Sequence, residues 1–192
     1  MKNIFDIEFI HLGSNMPMAI QAIKNDQVNN KPRGCLWAST YELDDEGLRS
    51  DWERWCDWED FRSYSKNQYF KFKLMPEAKV LVVDSKNDYL NIDEKYFVDP
   101  NYSTTSMSSD DLCYNYHHMH TIFNKKYLDF EKISKHYDAF YLTKKAANEL
   151  HFCFDIEEKD FSSWDVESLC VFNNKCFEVT EFGEGGTNDD DK

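Results

Sequence analysis

The segment at residues 30–41, NKPRGCLWASTY, constrains the fold more than any other stretch of the chain. Pro32 fixes its own φ and biases Lys31 toward extended geometry, while Gly34 permits a tight approach of backbone. A short apolar run follows, Cys35-Leu36-Trp37-Ala38, closed by Ser39-Thr40. Its length and its bounding residues suit a buried strand rather than a helix. Trp37 sits among small neighbours, so its ring is either core filler or the wall of a pocket for a flat ligand.

Similar short runs recur along the chain. Residues 4–12 (IFDIEFIHL) read as a first strand that ends in the turn Gly13-Ser14-Asn15. Residues 69–74 (YFKFKL) alternate with period two and predict a half-exposed strand. Residues 79–84 (KVLVVD) and 138–143 (DAFYLT) predict buried strands. Residues 168–173 (SLCVFN) and 176–180 (CFEVT), joined at Asn173-Asn174, predict a hairpin. Helices are fewer. Residues 17–28 open on Pro17, with apolar residues at 16, 19, 20 and 23, the spacing of an amphipathic helix. Ser50 and Glu53 form a capping box for a second helix, whose stripe is Trp52, Trp55, Cys56 and Phe61, with Trp58 off that line. Residues 128–136 predict a short helix, and Thr143 caps another over 143–150. Strands with interspersed short helices, no βαβ regularity, no internal repeat and no glycine-rich dinucleotide fingerprint predict an α+β fold.

A chain of 192 residues fits one domain, taken as residues 1–182. Residues 183–192, rich in Gly and Asp, predict a disordered acidic tail. The net charge of −14 repels phosphate backbones and anionic membranes, which argues against general affinity for either. Six lysines between residues 125 and 145 form a small local exception, read as a solvated helix face. The six cysteines show no CxxC spacing and fall largely in apolar runs. With no signal peptide in view, they predict reduced thiols and a cytoplasmic protein. No apolar run approaches the roughly 18 residues of a membrane span. His117, His118 and His120 do not share one face of a helix or strand, and no carboxylate or thiol stands at the usual pairing distance, so no metal site is assigned.

Three elements form a constellation: His11-Leu-Gly13-Ser14 after the first strand, Gly34-Cys-Leu-Trp37-Ala-Ser39 in the second, and Glu167 immediately before Ser168-Leu-Cys-Val-Phe. In this the chain resembles the His–Tyr–Glu branch of the ADP-ribosyltransferase superfamily, which holds poly(ADP-ribose) polymerases and diphtheria-type toxins. That branch has His-Gly-(Ser/Thr) after its first strand; here Leu12 is inserted. It has Gly-(aliphatic)-Tyr-(aromatic)-(Ala/Ser) in its second strand, with Trp37 taken as standing in for the tyrosine. It has a glutamate before a late hydrophobic strand. About ten positions over residues 5–180 carry the likeness.

The resemblance implies a split antiparallel β-sandwich with short flanking helices. It implies NAD as substrate, Glu167 and His11 as catalytic residues, and an NAD site built from His11, Gly13, Ser14, Trp37 and Ser39. The acceptor would be a macromolecule, protein or nucleic acid, and small transferases of this kind are often bacterial or phage effectors or toxins. The chemistry suits those residue types. An indole stacks on a flat cationic nicotinamide. The Gly13 backbone pairs with a carboxamide, and the His11 and Ser14 side chains donate to ribose. A carboxylate stabilises an oxocarbenium-like ribose and binds its 2′-hydroxyl. Two other readings remain: NAD hydrolysis without an acceptor, and a non-catalytic acidic binding or inhibitory protein, the latter motivated by the charge and by the acids at 42–60 and 155–167.

Overall fold

The computed structural model describes residues 3–26, 31–61, 67–98, 126–151, 159, 161 and 164–183. Its strands are β1 (Phe9–Leu12), β2 (Lys24–Asp26), β3 (Lys31–Arg33), β4 (Leu36–Thr40), β5 (Tyr69–Leu74), β6 (Val80–Val83), β7 (Phe97–Val98), β8 (Tyr127–Leu128), β9 (Ala139–Leu142), β10 (Ser168–Val171) and β11 (Phe177–Phe182). The helices are α1 (Asp51–Trp58), α2 (Lys86–Leu90), α3 (Phe130–Ile133) and α4 (Lys144–Leu150). The α+β class holds. Seven strands form one sheet in the order β11-β5-β1-β4-β10-β9-β6, while β2–β3 and β7–β8 are separate two-stranded ribbons. Every pairing in the large sheet is antiparallel except β6 with β9, which is parallel.

Two cores lie on opposite faces of this sheet. Phe9, Leu36, Phe70, Phe72, Tyr141, Leu169 and Val171 meet on one face. Phe130, Phe140, Leu142, Phe161, Trp164 and Cys170 meet on the other, under α2, α3 and α4. The alternation of a strand assigns neighbouring residues to the two cores. Leu169 and Val171 face one, Cys170 the other, which is why β10 reads as a continuous apolar run.

The capping signals in the sequence are realised. The Glu53 N–H donates to Ser50 Oγ over 3.1 Å, starting α1. The Ala146 N–H donates to Thr143 Oγ1 over 3.2 Å, starting α4. On α1, Trp52 and Trp55 stack at 5.0 Å between ring centroids, and Cys56 is buried.

Other expectations fail for physical reasons. Residues 17–23 form no helix. Of the apolar positions, Met16 and Ala19 are exposed, while Ile20 packs against one core and Ile23 against the other, so they share no single face. The chain instead lies along Gly34, with the Gln21 N–H donating to its carbonyl over 2.9 Å, and then enters β2. Asn25 ties that ribbon to α3 by accepting from the Phe130 N–H over 2.8 Å and donating to Asp129 over 3.0 Å. The first strand is shorter than residues 4–12, because Ile4–Asp6 is a 3-10 turn.

The hairpin of the last two strands is overturned as well. β10 pairs with β4 and β9, and β11 pairs with β5 at the far edge. Phe177 follows Val171 by six residues, a reach of about 20 Å at full extension, shortened by the 3-10 turn Asn174–Cys176. Four strand spacings in a flat sheet are already about 19 Å, so the sheet must curl to let this crossing close. β5 is not half-exposed either: four of its six residues are buried, Lys71 among them. The Lys71 ammonium is neutralised by Glu181 at 2.7 Å and sits 3.8 Å over the Tyr41 ring.

Of the six cysteines, the described Cys35, Cys56, Cys170 and Cys176 are free thiols. His117, His118, His120, the loop at 102–111 and the tail from 184 onward lie outside the described residues. Among the described residues no helix is long and apolar enough to cross a membrane.

Candidate functional site

The expected site residues are organised by strand β4, the strand formed by the 30–41 segment. On one side β4 pairs with β1, as Phe9 with Thr40 and Ile10 with Ser39. On the other it pairs with β10, as Leu169 with Ala38, Cys170 with Trp37 and Val171 with Leu36. The two ladders thus occupy different halves of β4. Where each one stops, a side chain takes up the next backbone group.

On the β1 side that side chain is His11, whose Nδ1–H donates to the Trp37 carbonyl over 2.7 Å. A carbonyl only accepts, so the proton is on Nδ1 and a neutral ring presents the Nε2 lone pair. Burial lowers the His11 pKa, and the bond to Trp37 only partly offsets this. The ring therefore stays neutral near pH 7. The expectation that the imidazole donates to ribose is accordingly corrected: Nε2 of this tautomer accepts.

On the β10 side the side chain is Glu167, 5% exposed. Its Oε2 accepts from the Thr40 N–H over 3.4 Å and from the Ser39 hydroxyl over 3.3 Å. Its Oε1 accepts from the hydroxyls of Thr40 and Tyr141, which lie 3.1 Å from each other. Burial raises the Glu167 pKa above the ordinary carboxylate range, and the negative charge of Asp51 adds to this. The bonds from Thr40 and Tyr141 pull the other way. Burial, and then the carboxylate beside it, push the Tyr141 phenol far above its ordinary value, so it remains an O–H donor.

His11 and Glu167, 156 positions apart in the chain, therefore grip one strand at Trp37 and Thr40. Three residues of extended chain separate those anchors by about 10 Å. Strand parity puts the imidazole and the carboxylate on the same face, that of Phe9, Phe70 and Tyr141, with the imidazole 5.1 Å from the Phe70 ring.

The remaining expected residues are distributed differently. The Trp37 indole is on the opposite face, 5.4 Å from Trp164 at 44°. The structure joins Trp37 to His11 through its backbone carbonyl and does not bring indole and imidazole together. Gly13 has φ +102°, in the region that favours glycine, and open space where a Cβ would be. Its N–H already donates to the Gln68 carbonyl over 2.8 Å, so carboxamide pairing through that N–H requires an exchange of partners. Ser14 is engaged locally, its hydroxyl donating to the Met16 carbonyl over 2.8 Å. Ser39 alone of the expected binding residues touches Glu167 directly.

Sequence reasoning missed Thr40 and Tyr141. Thr40 stood in the opening segment, read as the end of a strand. Tyr141 is one apolar-looking position in DAFYLT, and only the pairing of β9 with β10 brings its phenol to Glu167. Among the described residues no group of three or more His, Cys, Asp or Glu side chains is arranged to hold a metal ion. No family model, no curated protein and no solved structure matches the chain.

Proposed function

We propose that this protein is an NAD-dependent ADP-ribosyltransferase. In this reading it cleaves the nicotinamide–ribose bond and passes ADP-ribose to a macromolecular acceptor, protein or nucleic acid. One observation carries the reading: an early histidine and a late glutamate anchor on the same central strand, itself the carrier of the Gly34–Ser39 motif. The division of β4 between two ladders supports the finer fold reading, a split antiparallel β-sandwich with short flanking helices, from which the parallel β6–β9 pair departs.

The chemistry assigned to each group follows from its surroundings. Glu167, held by fixed donors and largely shielded from water, stabilises the positive charge that develops on ribose as the N-glycosidic bond breaks. It also accepts a ribose hydroxyl. Neutral His11 accepts a second sugar hydroxyl at Nε2. Trp37 acts through the carbonyl that orients His11, and its indole belongs to the core beside Trp164.

Titration with NAD during thermal melting tests the binding half of the proposal. A ligand of the native state at about a hundred times its Kd stabilises by about 2.7 kcal/mol. Labelled NAD with and without acceptor mixtures tests the second half, since label on a macromolecule means transfer and free ADP-ribose alone means hydrolysis. An unchanged melting point at saturating NAD, with no label released or transferred, rejects the proposal. A second reading, an acidic binding protein, draws on the exposed Trp58 of α1 and the acids around it. It predicts binding to a basic protein that persists in Glu167→Gln.

A further inference from the structure

We infer that Tyr141 is a positioning residue of this site: with Thr40 it holds Glu167 by Oε1 and leaves Oε2 as the oxygen that meets a substrate hydroxyl. The inference rests on the transferase reading for its chemistry, and on the hydrogen bonds around Glu167 for its geometry.

The two carboxylate oxygens are held unequally. Oε1 takes two hydroxyl donors, from Thr40 and Tyr141. Oε2 takes two long contacts, the Ser39 hydroxyl at 3.3 Å and the Thr40 N–H at 3.4 Å, both near the outer limit of hydrogen bonding. An ionised carboxylate offers about four acceptor positions, and these four donors fill them. A ribose hydroxyl must therefore replace one donor. The Thr40 N–H is fixed by the backbone of β4, whereas the Ser39 hydroxyl is released by rotation about a single bond. The exchange falls on Oε2.

Tyr141 is suited to the opposite duty. It lies on β9, in register with Leu169 of β10, two residues beyond Glu167. Its ring is held edge-on against Phe9 at 5.4 Å and 84°, and it is 5% exposed. The phenol cannot swing away without breaking that packing. With Oε1 anchored, the plane and reach of the carboxylate are set before substrate arrives, which is the condition for stabilising charge in a transition state.

The test compares Tyr141→Phe, which keeps the ring, with Ser39→Ala and Thr40→Ser. The first readout needs no activity: infrared titration of the Glu167 carboxyl band, assigned by its loss in Glu167→Gln. Removing the Tyr141 donor destabilises the charged form, so the midpoint moves to higher pH. Ser39→Ala moves it less, and Thr40→Ser, which keeps a hydroxyl, stays near the parent. The second readout is nicotinamide release. Tyr141→Phe lowers kcat on the order of ten- to a hundredfold, leaves KM for NAD unchanged, and moves the acid limb of the pH profile in the same direction as the infrared midpoint. An unmoved infrared midpoint in Tyr141→Phe, or a larger shift in Ser39→Ala, overturns the inference. A parent that releases no nicotinamide defeats the transferase reading instead, and the infrared comparison still decides whether Tyr141 holds Oε1.

Discussion

Replacing Glu167 with glutamine separates the charge of this residue from its packing. The side chain meets hydroxyls on Oε1, and on Oε2 one hydroxyl and one backbone N–H. A glutamine fits if its NH2 takes the Oε1 position. The hydroxyls of Thr40 and Tyr141 then turn to accept, while the amide oxygen accepts from Ser39 and the Thr40 N–H. All four contacts survive and only the charge is lost. Alanine is a poorer probe. Thr40 and Tyr141 can bond each other across 3.1 Å, but the Thr40 N–H is stranded. An orphaned buried donor costs about 1–3 kcal/mol, a large part of the 5–15 kcal/mol that holds a typical domain folded.

The sign of the pH dependence follows from the raised pKa of Glu167. The native state binds this proton more tightly than the unfolded chain does. The resulting stability is fully present below the ordinary carboxylate value, about 4.3, and is lost as the pH rises through the raised native value. As the pH rises through that raised value, the parent takes on the cost of a buried charge that Glu167→Gln lacks. The variant should melt at or above the parent at pH 7, and the gap should close toward pH 4. Nicotinamide release should nevertheless fall by about 10²–10³. Melting curves across pH and a turnover assay on the same samples check both halves. A variant clearly less stable than the parent at pH 7, with a gap that shrinks in acid, would show a carboxylate stabilised by its surroundings and would refute the reasoning.

Three further outcomes follow from the same structure. Glu53→Ala should cost about 3–5 kcal/mol in chemical denaturation, the scale of breaking a buried ion pair, because Arg49 binds Glu53 through Nη2 at 2.6 Å and Nε at 3.0 Å while Glu53 is 1% exposed. Gly34→Ala should cost at least about 1–3 kcal/mol for its backbone conformation, since Gly34 has φ +87° and an added Cβ would stand 2.7 Å from the Ala22 carbonyl oxygen; a melting point equal to the parent's would contradict that geometry. His11 has a lowered pKa, so its contribution to stability is present above the ordinary imidazole value, about 6.5, and is lost as the pH falls through its native value. The stability loss between pH 7 and 5 should accordingly be smaller in His11→Gln than in the parent, as measured by melting.

Local signals were legible where the chain states its chemistry in neighbouring residues. Ser50 with Glu53, and Thr143 ahead of Lys144, announce helix starts because a cap needs only three residues. The buried strands at Ala139–Leu142 and Ser168–Val171 announce themselves through unbroken apolar runs, whereas Val80–Val83, expected to be buried for the same reason, is the edge strand β6 and only Val83 is fully inside. Partner choice was not legible. Asn173-Asn174 resembles a hairpin turn, yet the all-buried Leu169, Cys170 and Val171 need neighbours on both sides, which β4 and β9 supply. The alternating exposure of Phe177–Phe182 suits an edge, and β11 goes to one. Residues 16–23 carry helical spacing, but Ile20 and Ile23 pack against different cores, which one helical face could not reach. At the site, His11 and Glu167 stood out by type and position. Trp37 stood out for its ring, but strand parity turns that ring away from His11, and a one-residue step along a strand reverses the face. Thr40 and Tyr141 were invisible because a hydroxyl inside an apolar run acquires meaning only from what lies across the sheet.

The central question is whether the face of β4 shared by His11 and Glu167 cleaves NAD. Release of nicotinamide from NAD by the purified protein, measured beside folded Glu167→Gln at equal concentration, tests this most directly. Release by the parent and a loss of about 10²–10³ in the variant are expected. Equal release by both proteins, or none by a folded parent, would contradict this.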